Sequence, residues 1–511
     1  MLYKWFDFVL LGRFKKWFVP ADEQTAYQEK RGCPDHIFLM RCLISYAKSK
    51  RKKFFICTID FDGAFDRVSR TILLKKLALF GAGSVFLLFI AAMYQRTESI
   101  NIHCVYELLS GIKQGLPLSP YLFLFYINDV FDFFHALYTK TSNKLLEKIH
   151  LLIHADDANI FSSSREMLIA KIQTMLTYCD LNKVRLQLSK CMFIVINGSD
   201  DDKIEIELDV GNIKAAPNVL ILGSHLVETG LLKDDLKLHF DLRFKNCIKY
   251  FNFVRSNRIA PIAIKLKVLT ACVTSTLLHN CEAFGNILPN GLEALYYKLI
   301  KSALNVRPNT PNEIVLIESG LLPLKALVHK RQLSFFRRFK ESLRENSARE
   351  SVFLELCEEE NQTAYLKHYI ELHRTYHKPS DIYKEASLEL KRVIQEKSIS
   401  DEHYKYYIYH QFNPQLLPSP FLTCVKGADA ITRFRLGSHN LPIETGRWSR
   451  VKREERLCRS CQVVGDERHL LYQCVDVERD PTHSFSNNLD EIWKDVNIFR
   501  LFQNISKTEY L

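Results

Sequence analysis

The chain has 511 residues, of which 47% are hydrophobic and 12% aromatic. This apolar content suits about two to four domains with real cores, and it argues against a disordered chain. Lysine and arginine total 70 against 58 acidic residues, a formal net charge of +12. The basic excess favours a polyanionic partner such as nucleic acid, although many soluble proteins of this size are mildly basic.

The cysteines and the N-terminus indicate the cellular compartment. Most of the 14 cysteines are scattered through apolar stretches, as at Cys42, Cys57, Cys104 and Cys272, which predicts buried thiols in a reducing compartment. The chain contains no apolar run long enough to span a membrane. The apolar, basic N-terminus is interrupted by Asp7 and lacks a signal-peptide pattern. We therefore expect an intracellular protein, nuclear or cytoplasmic, without membrane contact.

The first strong pattern in chain order covers residues 28–80. Residues 28–44, QEKRGCPDHIFLMRCLI, contain a turn followed by apolar residues at helical intervals. Residues 53–66, KFFICTIDFDGAFD, hold a buried-strand run, Phe54–Ile59, that ends at Asp60. A carboxylate at the C-terminal end of a strand is well placed to project into a cleft. A helical period then resumes over Ser69–Phe80.

Residues 110–120, SGIKQGLPLSP, form a glycine- and proline-rich turn before an apolar helix predicted over Tyr121–Phe134. Glycines in such a turn let the backbone approach a ligand closely, and the N-terminus of the following helix favours anions. A plain surface loop explains the same residues equally well.

Residues 151–161, LLIHADDANIF, predict a short hairpin with Asp156 and Asp157 at its turn. Two neighbouring carboxylates repel each other unless a cation lies between them, and hard oxygen ligands suit Mg²⁺. The alternative is an ordinary polar turn, which is how most Asp-Asp pairs behave.

The next part of the chain alternates strands and helices and then becomes helical. A basic amphipathic helix is predicted over Lys325–Lys340; such a face is usually only solvated, but its charge density also suits a phosphate backbone. Residues 341–410 are predicted as a helical connector. The other predicted elements are a helix at Arg165–Leu181, strands in Val184–Ile196, Ile204–Val210 and Val219–Leu226, and helices at Asp234–Val254, Pro261–Leu278 and Ala294–Leu304.

A cluster of cysteine and histidine stands near the C-terminus. Cys458 and Cys461 form a Cys-X-X-Cys pair, and His469 and Cys474 follow. Three thiols and an imidazole at this spacing predict a small tetrahedral zinc site. Chance clustering in a chain that is not poor in cysteine is the alternative.

Three carboxylates are therefore candidates for one metal site. Asp60 lies 96 positions before Asp156 (156 − 60), so only the fold can bring it to the Asp156–Asp157 pair. If the two strands are neighbours in one sheet, three acidic side chains converge on one face. Such a site suits two-metal phosphoryl transfer.

The order of these stretches resembles the reverse transcriptase of non-LTR, LINE-like retrotransposons. The similar segments are FFICTIDFDGAFD, GIKQGLPLSP, LLIHADDANIF, LSKC and VLILGSHL, together with the fingers-like residues 28–44 and FRLGSHNLPIETGRW with the Cys/His cluster. The resemblance implies an α+β right-hand polymerase. It has partial fingers (1–50), a palm with an antiparallel sheet (51–230), a helical thumb (231–345), a connector (346–425) and a basic, zinc-binding C-terminal segment (426–511).

The resemblance also implies site residues. Asp60, Asp156 and Asp157 would ligate two Mg²⁺ ions, assisted by the backbone carbonyl of Phe61. Phe65 would lie under the sugar of the incoming nucleotide and exclude a 2′-hydroxyl.

Three further roles follow from the resemblance. Gln114 and Gly115 would lie against the nascent base pair, and Lys190 would approach the triphosphate and act as a general acid. The implied partners are an RNA template, a DNA primer and dNTPs.

The chain departs from the family pattern in two respects. His154 stands where the family has Phe or Tyr. The family's polymerase domain also begins well before residue 28 and follows an endonuclease, so we expect a truncated chain that polymerises weakly or not at all. The alternatives are a non-catalytic nucleic-acid-binding relic, and a DNA-templated or maturase-like protein, which the C-terminal cluster disfavours.

Overall fold

The computed structural model describes residues 2–95, 98–101, 104–107, 109–138, 144–399, 404–419, 422, 428–479 and 502. The chain divides into two compact units. The first unit comprises residues 1–239, 280–287 and 332–375, and the second comprises residues 240–279, 288–331 and 376–511.

The first unit is built on a six-stranded sheet in the order β4-β5-β1-β6-β8-β7. Neighbouring strands are antiparallel except for the parallel pair β6 and β8. Two hairpins, β2-β3 and β9-β10, accompany the sheet. The strands are β1 Phe54–Ile59, β2 Glu98–Asn101, β3 Cys104–Glu107, β4 Leu151–His154, β5 Asp157–Ser162, β6 Met192–Ile196, β7 Ile206–Leu208, β8 Gly211–Ala215, β9 Asn218–Ile221 and β10 Ser224–Val227.

Helices account for most of the remaining described residues. They are α1 Leu2–Phe14, α2 Cys33–Ser49, α3 Arg70–Leu79, α4 Ser84–Tyr94, α5 Ser119–Ile127, α6 Asp129–Tyr138, α7 Arg165–Leu181, α8 Leu232–Ser256, α9 Ile262–Val268, α10 Ser275–Leu277, α11 Leu292–Ala303, α12 Asn312–Ser319, α13 Leu324–Ser342, α14 Ala348–Cys357, α15 Ala364–Thr375, α16 Pro379–Ser398, α17 Tyr404–Phe412, α18 Ala428–Arg435, α19 Pro442–Trp448 and α20 Glu467–Tyr472.

Strand β1 is apolar at almost every position because the sheet is covered on both faces. Side chains alternate between the faces of a strand. Phe55, Cys57 and Ile59 enter one core, which also contains residues of α3, α5, α6 and α7. Phe54 and Ile56 enter a second core with residues of α2, α14 and α15. A buried central strand of this kind reads as a continuous hydrophobic run.

The second unit is helical in its described part, and polar pairs join its helices. The guanidinium of Arg435 on α18 donates hydrogen bonds of 3.0–3.2 Å to the carboxylate of Glu318 on α12, and both side chains are buried. Lys397 on α16 pairs with Glu313 on α12 at 2.9 Å. A small core with Phe434, Leu470 and Leu471 surrounds Cys458 and Cys474.

The α+β fold class expected from the sequence is confirmed. The bounds of β1 and α7 coincide with the predicted Phe54–Ile59 and Arg165–Leu181. The predicted pair of strands in Val184–Ile196 is wrong in its first half. Only Met192–Ile196 is a strand, because Leu188–Lys190 form a 3₁₀ turn and Leu186 makes one isolated bridge, to Phe61.

Three other predictions need correction. The helix predicted over Tyr121–Phe134 is two helices, α5 and α6, and the one predicted over Pro261–Leu278 contains a π-helical turn between α9 and α10. Strand β8 was not predicted because its sequence, GNIKA, has little apolar character. Cys42 and Cys57 are buried, whereas Cys272 is exposed and the side chain of Cys104 lies outside the described part. None of the described helices combines the length and apolar character needed to cross a membrane.

Candidate active site and candidate metal centre

Two paired strands bring the predicted carboxylates to one end of the sheet. The antiparallel register of β1 and β5 pairs Ile59 with Ala158, so Asp60 and Asp157 are adjacent to this last pair. Ile59 and Ala158 both face the core on the side of α3 and α7. Because side chains alternate, Asp60 and Asp157 both project to the other face of the sheet. Asp156 lies beside them in the two-residue turn that joins β4 to β5.

The carboxylate of Asp157 shows the electrostatic consequence of this arrangement. Its pKa is raised above the usual value by desolvation, and the negative charges of Asp156 and Asp60 raise it further. Carboxylates that oppose one another's ionisation in this way form a site that a divalent cation stabilises. Oxygen donors from three carboxylates fit the preferences of Mg²⁺.

Lys190 lies against the first of these carboxylates. Its Nζ atom is 3.2 Å from Oδ2 of Asp60, and its side chain is 62% exposed. The backbone holds the lysine segment in place, because the carbonyl of Asp60 accepts the N–H of Gln187 at 2.8 Å. The N–H of Asp60 in turn donates to Sγ of Cys191 at 3.5 Å. The positive charge of Lys190 therefore partly neutralises the negative charge of this carboxylate site, and the ammonium group stays accessible to solvent.

The two predicted aromatic residues after Asp60 are placed differently. Phe61 is buried, 6% exposed, and forms an isolated β-bridge with Leu186. Phe65 is half-buried, and its ring stacks on that of Phe123 with the centroids 4.7 Å apart. Stacking fixes the direction of the Phe65 ring while leaving one part of it accessible.

The glycine-rich segment 110–115 docks on the loop that follows β1. Gln114 and Gly115 are exposed, and Nε2 of Gln114 donates to Oδ1 of Asp66 at 3.0 Å. Gly111 has φ +85°, and a Cβ atom there would lie 2.8 Å from the carbonyl oxygen of Asp66. Only glycine permits this approach, so the close contact between the two loops depends on Gly111. The N–H of Gly111 also donates to the carbonyl of Val68 at 2.9 Å.

A cleft in the first unit is lined by basic residues. The sequence did not identify these residues as part of a site. The cleft has a volume of 590 Å³ and is lined in part by Lys15, Lys30, Arg31, Arg344 and Tyr27. The pKa of the Tyr27 hydroxyl is raised by burial first and then by the charge of Asp156. No sequence signal identified the cleft, because its cations come from three separate segments of the chain.

His154 belongs to a buried polar network behind the carboxylate turn. Nδ1 of His154 is 2.9 Å from the hydroxyl of Thr25, and Nε2 is 3.4 Å from Sγ of Cys33. Burial lowers the pKa of His154 and lowers that of His36 to about 3, so both rings are neutral at pH 7. His36 in turn contacts the amide of Asn159 at 3.0 Å. The histidine that departs from the family pattern is thus tied to the N-terminal residues.

The four predicted zinc ligands lie together in the second unit. The candidate ligand atoms of Cys458, Cys461, His469 and Cys474 are all within 4.8 Å of one another, and the sulfurs of Cys458 and Cys474 are 3.8 Å apart. Two sulfurs bound to one zinc ion at 2.3 Å in a tetrahedron are about 3.8 Å apart.

The local fold around these residues explains the closeness. The N–H of Cys458 donates to the carbonyl of Val463 at 2.7 Å, which closes the Cys-X-X-Cys turn. Asp466 caps α20, which carries His469. Both ring nitrogens of His469 are buried without a hydrogen-bond partner. An imidazole left without partners beside three thiols fits the donor set of a structural zinc site.

Comparisons with known proteins agree with the architecture around the carboxylates. Residues 2–226 match the family model described as reverse transcriptase (RNA-dependent DNA polymerase). The chain is 23% identical over 226 residues to the Retrovirus-related Pol polyprotein from type-2 retrotransposable element R2DM of Drosophila melanogaster. That match covers 41% of this chain but only 21% of the relative, so the chain spans about one fifth of its length.

Two solved structures show weak overall similarity. A telomerase from Candida albicans, in complex with a TWJ fragment of telomeric RNA, has a TM-score of 0.32 and 13% identity, over 65% of this chain and 55% of that one. The apo telomerase from Candida tropicalis has a TM-score of 0.31 and 11% identity, over 65% of this chain and 54% of that one.

The family match includes β1, the glycine-rich segment, the β4–β5 turn and Lys190, which are the segments that carried the sequence resemblance. The resemblance to reverse transcriptases is thereby confirmed. Residues 2–226 of the chain therefore match the reverse transcriptase family model, and the chain is similar in sequence to the polyprotein of a non-LTR retrotransposon.

Proposed function

We propose that this chain is an RNA-directed DNA polymerase that uses two-metal nucleotidyl transfer. The observation that supports the proposal most strongly is the placement of Asp60, Asp156 and Asp157 at one end of two paired strands. Burial first, and then the charges of Asp156 and Asp60, raise the pKa of Asp157, and a bound divalent cation would relieve the repulsion among the three carboxylates.

The three carboxylates would hold two Mg²⁺ ions, with the carbonyl of Phe61 as a further oxygen donor. The ions would supply activation of the primer 3′-hydroxyl and stabilisation of the leaving pyrophosphate. Lys190 is positioned to exchange its partner, because it is 62% exposed and pairs with Asp60 across 3.2 Å. When Asp60 is otherwise engaged, the ammonium can turn to the triphosphate and donate a proton to the leaving group.

The residues around the carboxylates would select the nucleotide. Phe65, stacked on Phe123, would lie under the sugar and exclude a 2′-hydroxyl. Gln114 and Gly115 would contact the nascent base pair. Lys15 and Lys30 of the basic cleft are exposed and suited to the triphosphate, for which Lys30 would leave Glu341, its partner at 3.0 Å, since charge-assisted contacts to phosphate are the stronger class of hydrogen bond. This cleft would replace part of the basic set that the sequence led us to regard as missing.

The remaining regions would hold nucleic acid and stabilise the C-terminal segment. The helical residues 231–345 are proposed as the thumb, after fingers at 1–50 and a palm at 51–230. Residues 346–425 would connect the thumb to the C-terminal segment 426–511. We propose one Zn²⁺ on Cys458, Cys461, His469 and Cys474. An RNA template and a DNA primer are the proposed partners, bound with the salt sensitivity that phosphate contacts impose.

Primer extension tests this function. The purified chain is given a DNA primer annealed to an RNA template, dNTPs and Mg²⁺, beside the variant Asp156→Ala, Asp157→Ala. Extension by the unmodified chain that the double variant lacks is the expected result. Binding of the primer–template by both chains without extension by either would instead identify a non-catalytic relic and overturn the proposal.

A further inference from the structure

The N-terminal residues before α2 cover the exposed edge of the sheet beside the carboxylate turn. Strand β4 is the outermost strand, and residues 23–25 run along its free side. The N–H of Ile153 donates to the carbonyl of Glu23 at 3.1 Å, and the N–H of Thr25 donates to the carbonyl of Ile153 at 2.8 Å. Gln24 forms a parallel bridge with Ile153. An extra segment of this kind fixes an edge that would otherwise be free to shift.

The side chain of Gln24 reaches the backbone of the turn itself. Its Oε1 atom accepts the N–H of Ala155 at 3.0 Å, and its Nε2 atom donates to the carbonyl of Ala155 at 3.4 Å. Oε1 also accepts the N–H of Ala26 at 3.0 Å, which fixes the amide plane. Gln24 is only 1% exposed. Both polar groups of the buried Gln24 amide therefore form hydrogen bonds with the backbone of Ala155, the residue immediately before Asp156.

Ala155 is a residue that needs such support. Its φ is +60°, in the left-handed region, and it is not a glycine. Residues with a side chain rarely adopt this conformation, because it brings their Cβ atom too close to the following carbonyl oxygen. A turn that relaxed to another conformation would change the direction of Asp156 and Asp157. The paired hydrogen bonds from Gln24 oppose that relaxation.

We propose that Gln24 is a positioning residue that holds the Ala155 turn so that Asp156 and Asp157 stay aimed at bound divalent cations. The role rests on the proposed function, because it assumes that these carboxylates bind metal. Gln24 touches neither metal nor substrate; it acts through the backbone of Ala155. Replacing a group that orients a metal ligand without touching the metal lowers metal affinity about 10- to 100-fold.

The test compares Gln24→Met with Gln332→Met. Methionine keeps the approximate volume and removes all three hydrogen bonds of the Gln24 side chain. Gln332 is an equally buried glutamine in the same unit, 0% exposed, that donates to the carbonyl of Gly285 at 2.8 Å and contacts no residue of the turn. Mn²⁺ binding to each zinc-saturated chain is followed by electron paramagnetic resonance, and the thermal unfolding midpoint is measured beside it.

We expect Gln24→Met to weaken Mn²⁺ binding about tenfold. Gln332→Met should lower the unfolding midpoint about as much as Gln24→Met does. It should leave the Mn²⁺ affinity within twofold of that of the unmodified chain. Equal Mn²⁺ affinity in the Gln24→Met and unmodified chains would overturn the role of Gln24 alone. A failure of the unmodified chain to bind Mn²⁺ at all would overturn this role together with the proposed function. A Gln24→Glu chain, which keeps the acceptor for Ala155 and Ala26, should bind Mn²⁺ more tightly than Gln24→Met.

Discussion

The carboxylate site and the Cys/His centre differ in how firmly the surrounding fold holds their side chains in place. Asp60, Asp156 and Asp157 lie on a paired sheet whose strands, edge and turn are fixed by hydrogen bonds. Cys458 and Cys461 lie on a short turn, His469 on a six-residue helix and Cys474 just after that helix, around a small core. The first site has exposed or half-buried oxygen ligands, and the second has thiols that are mostly buried. Under the proposed function, the first would be an exchangeable metal site held by the fold, and the second a structural metal site on which the local fold depends.

The largest effect that follows from this contrast is catalytic. Asp156→Asn should lower the rate constant of nucleotide addition by about 10³-fold, about 4 kcal/mol, because one of the three metal ligands loses its charge. The unfolding midpoint should change little, since the turn keeps its backbone contacts. The exposed Asp180 at the end of α7 provides the control, and Asp180→Asn should keep the full rate. A loss of folding in Asp156→Asn as severe as its loss of rate would break the contrast between the two sites.

The opposite result is expected for the Cys/His centre. Cys474→Ser should lose the one equivalent of zinc and unfold the segment around residues 458–479, because a site this small depends on its metal for structure. Limited proteolysis and zinc analysis measure both changes, and the sheet of the first unit should remain protected. Full zinc content in the variant, or a segment that resists protease after zinc is removed, would contradict a structural metal.

Substitution of Gly111 tests how closely the glycine-rich segment packs on the loop that follows β1. Gly111→Ala should destabilise the chain by about 2–3 kcal/mol, because it adds a Cβ atom 2.8 Å from a backbone oxygen to the strain of a positive φ. Gly81→Ala separates the two causes, since Gly81 also has a positive φ, +93°, but no atom within 4 Å of its Cβ position. Its loss should be about 1 kcal/mol, measured by denaturant unfolding. Equal losses would show that the contact between the two loops is not tight.

The smallest effect is a pH dependence that originates behind the carboxylate turn. Burial lowers the pKa of His36 to about 3 from 6.5, so the unfolded chain binds one more proton than the folded chain between these pH values. Stability should therefore fall as the pH drops below 6.5, by up to about 1.4 kcal/mol per pH unit from this residue. His36→Asn should remove that part of the slope, as measured by urea unfolding from pH 5 to 7. The exposed His377 serves as the comparison, and a slope unchanged in His36→Asn would refute the assignment.

The sequence predicted the elements whose side chains follow a strong period. Strand β1 and helix α7 were located to the residue, because buried strands and amphipathic helices have distinct spacing. Strand β8 was missed, since pairing with its neighbours rather than its own residues makes GNIKA a strand. The same holds for Leu186, which has a strand-like sequence but forms only one bridge, to Phe61.

The candidate site was predictable where its residues are contiguous. The Asp156–Asp157 turn and the Cys-X-X-Cys pair are short motifs with a chemical meaning, Asp60 was identified by its position at the end of a strand, and the family resemblance added Lys190. The support behind them was not predictable. Gln24 contacts Ala155, and the basic cleft forms, only after distant segments are packed together. A single sequence carries no local signal for such contacts.

Counting the divalent cations on the carboxylates tests the central claim most directly. The zinc-saturated chain is mixed with an RNA template, a dideoxy-terminated DNA primer, the next complementary dNTP and Mn²⁺, and bound Mn²⁺ is titrated by electron paramagnetic resonance. The arrangement of Asp60, Asp156 and Asp157 predicts two tightly bound Mn²⁺ ions per chain, with tight binding at both positions lost in Asp60→Asn. The same number of tightly bound ions in Asp60→Asn and in the unmodified chain would contradict the claim that these three carboxylates form one metal centre.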